Sequence, residues 1–280
     1  MNLASITQRL MAGELHYALG RFETVRRGYS LCRGLGRAAR AGAAKPAAPS
    51  LFASVSPVDA VEAVRRDSIA WGFDLPPSVV RELTAHAETV DLFDRGRPDR
   101  SFRRAEVEAG RLPDGDPVAL GIVRDPMAHA RVREICHDPV LMESVTRFLG
   151  YRPGKIIPRL FWSFASAMED DERRRRGQTI DWHFDVHDLN FISANFYLTD
   201  VDRWSGAHAL VRGSHKGKPL RLLMGSANAP HEAVMGVYGA DKELIVEGPS
   251  GTGFLEDTSC YHRAIAPTRG DRLMMQIWYS

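Results

Sequence analysis

The sequence predicts an α+β protein with a mainly β core, a jelly roll packed on one face by helices from the N-terminal half. Two observations lead there. Up to Gly150, apolar residues recur at helical spacing between proline-led starts and glycine stops. After Gly150 the texture changes to about eight short runs rich in β-branched and aromatic residues, split by Gly, Pro and Asp. Helices first and strands afterwards exclude an alternating βα fold and favour two packed antiparallel sheets. With 280 residues, 44% apolar and 26% charged, the chain can bury a substantial core.

Residues 1–50 form a basic extension and linker, and residues 51–280 a single domain, mainly helical over 51–150 and jelly roll over 151–280. The net charge of +2 hides an asymmetry. Residues 1–50 hold eight Lys or Arg against two Glu, a balance of +6, which leaves −4 for the rest. Over residues 15–32, Leu15, Ala18, Phe22, Val25, Tyr29 and Cys32 recur every three or four positions with arginines between them, an amphipathic basic helix weakened by Gly20 and Gly28. Such a helix fits a peripheral membrane surface, an acidic protein partner, or simply its own domain, which is the plainest reading. Residues 38–50, rich in Ala, Gly and Pro, read as a linker.

Ser56-Pro57 is a cap followed by a first-turn proline, and Val58, Val61, Val64 and Ile69 carry that helix toward Trp71-Gly72. A second helix follows Pro76-Pro77-Ser78, with Val79, Val80, Leu83 and Ala87 on one side. Residues 93–127 mix charge, Gly and Pro without a legible period. Asp138-Pro139 opens a third helix through Leu141, Val145 and Phe148 to Gly150. Strands are expected near 156–166, 179–185, 190–199, 207–212, 243–246, 253–256, 262–266 and 272–279. The charge run 169–176 reads as a solvated hairpin tip.

Three cysteines, Cys32, Cys136 and Cys260, are too scattered for a disulfide framework or a zinc knuckle and fit a reducing, cytoplasmic setting. The first residues lack a signal-peptide core and no run is long and apolar enough for a membrane span. Nucleic acid is not an expected partner, because the basic residues concentrate in the extension without a stacking motif.

The chemistry begins at Trp182-His183-Phe184-Asp185. On a strand, His183 and Asp185 share a face and can grip one ion while Phe184 points away. Chance alone supplies roughly 0.7 such triplets in a chain of this composition, so the support must come from elsewhere. A jelly roll has a mouth where several strands converge, and His262, 79 residues on at the start of the penultimate strand, is the best candidate to complete the site. Arg272 follows ten residues later. Two imidazoles and one carboxylate on one face of an octahedral ion leave three positions open, the arrangement of non-haem Fe(II) oxygenases.

The order of these residues resembles the phytanoyl-CoA dioxygenase-like family of oxygenases dependent on Fe(II) and 2-oxoglutarate. After His183-Phe184-Asp185 come a strand ending Tyr197-Leu198-Thr199-Asp200, a turn at Gly206, the element Gly213-Ser214-His215, then His262 and Arg272. The resemblance spans roughly residues 156–280. It implies a double-stranded β-helix, cupin-like, with His183, Asp185 and His262 holding Fe(II) and Arg272 pairing with the distal carboxylate of 2-oxoglutarate. It also implies O2 as cosubstrate, hydroxylation of a small-molecule or lipid-linked metabolite, and release of succinate and CO2. Desaturation, cyclisation or epimerisation at the same centre, and a non-catalytic binding module, stay open. Asp185 favours hydroxylation over halogenation, since related halogenases replace the carboxylate by a small residue. Ala264, two past His262, and Phe184 depart from the family's usual residues, which leaves further cosubstrate contacts to Ser193, Asn195 or Tyr197, with Asn195 first. His187 is a candidate substrate-side group or a support for a ligand. Trp182 and Trp204 are candidates to line a substrate pocket, though an aromatic beside a strand is more often packing.

Overall fold

A computed structural model describes residues 18–38 and 49–280. The fold is mixed α+β with two antiparallel sheets. Helix α1 (Glu23–Ala38) precedes α2 (Pro57–Asp67), β1 (Ile69–Trp71), α3 (Pro77–Thr89), β2 (Leu92–Asp94), β3 (Arg97–Phe102) and β4 (Leu120–Val123). Helices α4 (Ala130–Cys136) and α5 (Pro139–Leu149) follow, then β5 (Ile156–Ser163), α6 (Asp170–Arg175), β6 (Ile192–Tyr197) and β7 (His208–Val211). The chain ends with α7 (Leu220–Leu223), α8 (His231–Tyr238), β8 (Glu243–Val246), β9 (Gly253–Glu256), β10 (His262–Ala264) and β11 (Arg272–Tyr279). The large sheet runs β1-β9-β6-β11-β5-β4-β2-β3 and the small one β10-β7-β8.

Strand pleat sorts the residues into two cores. On β11, Leu273, Met275, Ile277 and Tyr279 face the helices, where they meet Val79, Leu83, Leu141 and Val145. Met274 turns to the other side and joins Phe161, Tyr197, Phe254 and Leu210 between the two sheets. Ile192, Ala194, Phe196 and Leu198 lie on the helical side, as their apolar character predicts. One layer of helices thus stiffens the large sheet and leaves its other face free to form a cavity with the small sheet.

The cap chemistry holds at two starts. Ser56 accepts from Asp59 N–H at 3.3 Å, and Asp138 accepts from Val140 and Leu141 N–H at 2.9 and 3.1 Å. Several expectations need correction. The first helix stops at Asp67, and the residues expected to close it form β1, paired with β9. Residues 179–185 are not a strand; they touch their neighbours through isolated bridges at His183. The run 169–176 is a short helix rather than a hairpin tip, with Arg173 buried against the carbonyls of Met168, Ser166 and Pro267. Of the amphipathic helix expected over 15–32, residues 23–32 lie in helix Glu23–Ala38, which follows a break at 20–22 and runs past the expected end; Leu15 and most of the expected linker fall outside the described residues.

Candidate metal centre

His183 and His262 are brought together by backbone pairing. His183 N–H donates to the His262 carbonyl at 3.0 Å and His262 N–H to the His183 carbonyl at 2.8 Å, a two-residue bridge that sets the rings 4.3 Å apart. Asp185 is fixed by its own N–H on the Thr258 carbonyl at 2.8 Å. The irregular segment therefore borrows its geometry from β10 and the turn before it. One ligand atom each from His183, Asp185 and His262 falls within a 4.8 Å cluster.

The supporting contacts aim these atoms inward. Nδ1 of His183 donates to the Asp181 carbonyl at 2.9 Å, and Nδ1 of His262 to the Cys260 carbonyl at 3.0 Å. A carbonyl only accepts, so the proton sits on Nδ1 and each Nε2 is left as the ligand atom. These Nε2 atoms stand 3.9 and 3.6 Å from the Asp185 carboxylate oxygens, a spacing that leaves room for an ion between them. Burial, then the neighbouring His183, push His262 down to about 4, against the pull of Asp185, so its ring is neutral near pH 7. Burial pushes the Asp185 carboxyl up, but His262, His187 and His183 outweigh it and hold the group below the usual carboxylate range. A second group, Glu256, Cys260 and His262, shares one histidine. Burial raises the Cys260 thiol well above its ordinary value, so it stays protonated and is the poorer ligand set.

The triad opens into a cavity of about 140 Å³ between the sheets. Arg272 lines it, only 4% exposed, with Nη1 donating to the Gly206 carbonyl and Nη2 to Ser163 Oγ at 3.1 Å. Its Nε is buried with no partner, and among the described residues no carboxylate lies in ion-pair range of the group. A buried guanidinium with spare donors suits a carboxylate ligand. Gly206 makes this possible at φ +93°, a backbone state that favours glycine and turns its carbonyl onto Arg272. Ala264 brings no hydroxyl, but Ser163 of β5, which faces Arg272 in the strand pairing, sets one against that guanidinium.

The Gly213-Ser214-His215 element supports the site from behind. Ser214 Oγ accepts the Tyr261 N–H at 2.7 Å, and His215 Nδ1 meets Ser68 Oγ at 2.6 Å, tying the end of α2 to the residues before His262. His187 also lines the cavity. Its Nε2 reaches Asp185 Oδ2 at 3.0 Å and its ring lies 4.0 Å from that of Trp278.

Three expected residues lie elsewhere. Asn195 is fully buried behind the cavity, donating to Glu256 at 3.3 Å and accepting from Ser193 at 3.3 Å. Glu256 in turn pairs with His208, the cavity residue on that side. Trp182 packs among Phe184, Val211 and Tyr261 and donates to His231 at 3.0 Å. Trp204 is 48% exposed beneath the Arg269 guanidinium. The aromatic residues that do line the cavity are Phe161 and Trp278, joined by Arg95, Arg159, Gln178 and Gln276. The alternation Arg159, Phe161, Ser163 opposite Gln276, Met274, Arg272 was the signal for several of them. A larger groove of about 740 Å³ runs along α1, and neither metal-capable cluster lies in it.

The basic extension, where described, turns onto its own domain. Arg26 is buried and pairs with Asp257 at 2.9 Å, while Arg21 donates to the carbonyls of Leu223 and Gly225 at 2.8 Å each. These two arginines are spent internally rather than on a membrane or an acidic partner. Among the described residues no helix is long and apolar enough to cross a membrane.

No family model matches the sequence, and no curated protein matches it. Solved structures share the fold. AviO1 from Streptomyces viridochromogenes is 18% identical with a TM-score of 0.51, over 83% of this chain and 96% of that one. The non-haem alpha-ketoglutarate-dependent epimerase SnoN from nogalamycin biosynthesis is 18% identical with a TM-score of 0.54, over 80% and 82%. EctD from S. alaskensis, solved with bound Fe, is 14% identical with a TM-score of 0.54, over 84% and 81%. At these identities the likeness is one of fold, the double-stranded β-helix.

Proposed function

We propose that this protein is an oxygenase dependent on Fe(II) and 2-oxoglutarate that hydroxylates an unactivated C–H bond of a small-molecule or lipid-linked metabolite. One observation carries the reading: a His-Asp-His cluster with inward-facing ligand atoms shares a cavity with a buried guanidinium that lacks an anion. Fe(II) suits two imidazoles and a carboxylate with open positions, and 2-oxoglutarate suits Arg272 through its distal carboxylate. Together with O2 they supply C–H oxidation coupled to conversion of 2-oxoglutarate to succinate and CO2. The chain's part is to hold and to orient. His183, Asp185 and His262 keep their ligand atoms fixed through backbone partners, and Arg272 sets the direction in which a dicarboxylate lies. Phe161, Met274 and Trp278 line the cavity with apolar surface that limits water.

The test is anaerobic. Full-length protein given Fe(II) and 2-oxoglutarate should develop a weak visible charge-transfer band, and His183→Ala should abolish it. Absence of the band in the unsubstituted protein would reject the oxygenase reading and leave a binding module. Epimerisation or ring closure at the same centre is the second reading, supported by the fold shared with SnoN, and product analysis on a turned-over substrate separates the outcomes.

A further inference from the structure

The cavity carries more positive charge than the proposed cosubstrate consumes. Its charged lining is Arg95, Arg159 and Arg272 against Asp185 alone. A divalent ion and a dianionic cosubstrate cancel each other, so three guanidinium groups against one carboxylate leave two positive charges unbalanced. Arg95 sits in the turn between β2 and β3 at the exposed rim, and Arg159 projects from β5, half-buried. Among the described residues neither guanidinium has an ion-pair partner or a hydrogen-bond acceptor. This contrasts with Arg97 and Arg100 on the adjoining strand, which both pair with Asp116. Arg159 is also held in place, its guanidinium 5.0 Å from the Trp278 ring centre and 5.3 Å from that of Phe161. Burial and then the Arg95 charge hold Arg159 down to about 10, with Asp185 opposing. Two like charges kept close without a counter-ion are costly, and an incoming oxyanion removes that cost.

We infer that Arg95 and Arg159 form an oxyanion-binding pair for the primary substrate, which therefore bears a carboxylate, phosphate or sulfate group. The inference rests on the oxygenase reading for the word substrate, but the anion site stands on its own lining. A planar guanidinium fork stacked on Trp278 presents paired donors to such a group, and the rim position of Arg95 lets it meet the group as it arrives.

The experiment uses the full chain, anaerobic, with Fe(II) and saturating 2-oxoglutarate, titrated calorimetrically with inorganic phosphate and separately with acetate. Arg159→Gln and Arg95→Gln should each weaken the preferred anion at least about fivefold while the visible band stays unchanged and the melting temperature of the anion-free protein does not fall. Arg159→Lys, which keeps the charge without the fork, should fall between. The better binder of the two probes tells phosphate from carboxylate. No binding by the unsubstituted protein, binding in both Gln variants as tight as in the unsubstituted protein, or displacement of the anion by 2-oxoglutarate would overturn the inference, the last by showing that the pair serves the cosubstrate. A missing band with arginine-dependent anion binding would reject the oxygenase reading and leave the anion pair standing.

Discussion

A guanidinium that is 4% exposed and has an unpartnered Nε costs free energy until an anion reaches it. Arg272→Lys keeps the charge and removes the fork, so the 2-oxoglutarate concentration that half-saturates the visible band should rise roughly ten- to a hundredfold, the loss of one or two charge-assisted hydrogen bonds. An unchanged titration would mean that Arg272 is not the anchor. His187 meets Asp185 Oδ2 at 3.0 Å while its ring rests on Trp278, and we propose that it positions Asp185. His187→Phe preserves the ring contact and deletes the hydrogen bond. Metal affinity should fall about tenfold or more with little change in melting temperature of the metal-free protein. A purely structural role would show the opposite pattern. At this scale the clustering of His183, Asp185 and His262 was legible because chemistry restricts the choice: few residue types can bind a metal ion, and their order along the chain is directional. Asn195 and Trp182 were not, because each had two chemically sensible environments, and only Glu256 and His231 as partners decide between them.

Elements differ in how far away their determinants lie. The helices opened by Ser56-Pro57 and Asp138-Pro139 were legible because a cap and a first-turn proline act within four residues. The strands over 243–246, 253–256 and 272–279 match their expected limits, since glycine or aspartate punctuates them locally. Residues 93–127 hid β2, β3 and β4 because β3 is almost wholly exposed, which removes the alternation that betrays a strand. Residues 179–185 take their shape from His262, far along the chain, which no local pattern encodes. Helix α1 makes the same point, since it matters to the site through one turn. Arg26 grips Asp257 through both carboxylate oxygens at 2.9 Å, and Lys218 donates to the Ser259 carbonyl at 2.5 Å. Between those two residues, the Thr258 carbonyl holds Asp185. Arg26→Ala would strand a buried carboxylate, so stability should drop by about 3 kcal/mol in chemical denaturation, and metal affinity should fall with it. Loss of stability without loss of affinity would show that α1 braces the domain but not the centre.

Across the whole molecule, one layer of helices frees the opposite face of the large sheet to close on the small one, and that enclosure sets the proton behaviour of the site. Burial and the nearby His183 depress His262 from 6.5 to about 4. Above pH 6.5 the ring is neutral in the folded and unfolded chains alike, so it adds no pH dependence there. As pH falls from about 6.5 to about 4 the unfolded chain takes up a proton that the folded chain refuses, so folding stability is lost in that window. Burial depresses His215 in the same direction. Glu256 and Asp185 are also held below their ordinary values, although burial alone would raise them, because the histidines around them prevail. Their share of stability is therefore present above about pH 4.5 and disappears below it. All four groups push one way. The metal-free protein should melt at progressively lower temperature between pH 7 and pH 4.5, and His262→Gln should flatten the upper part of that decline. Adding a divalent ion should steepen it, because ion and proton compete for the same Nε2. A melting temperature flat across this range in the metal-free protein would mean that the histidines titrate in the folded chain as they do in the unfolded one, so that the enclosure does not depress them.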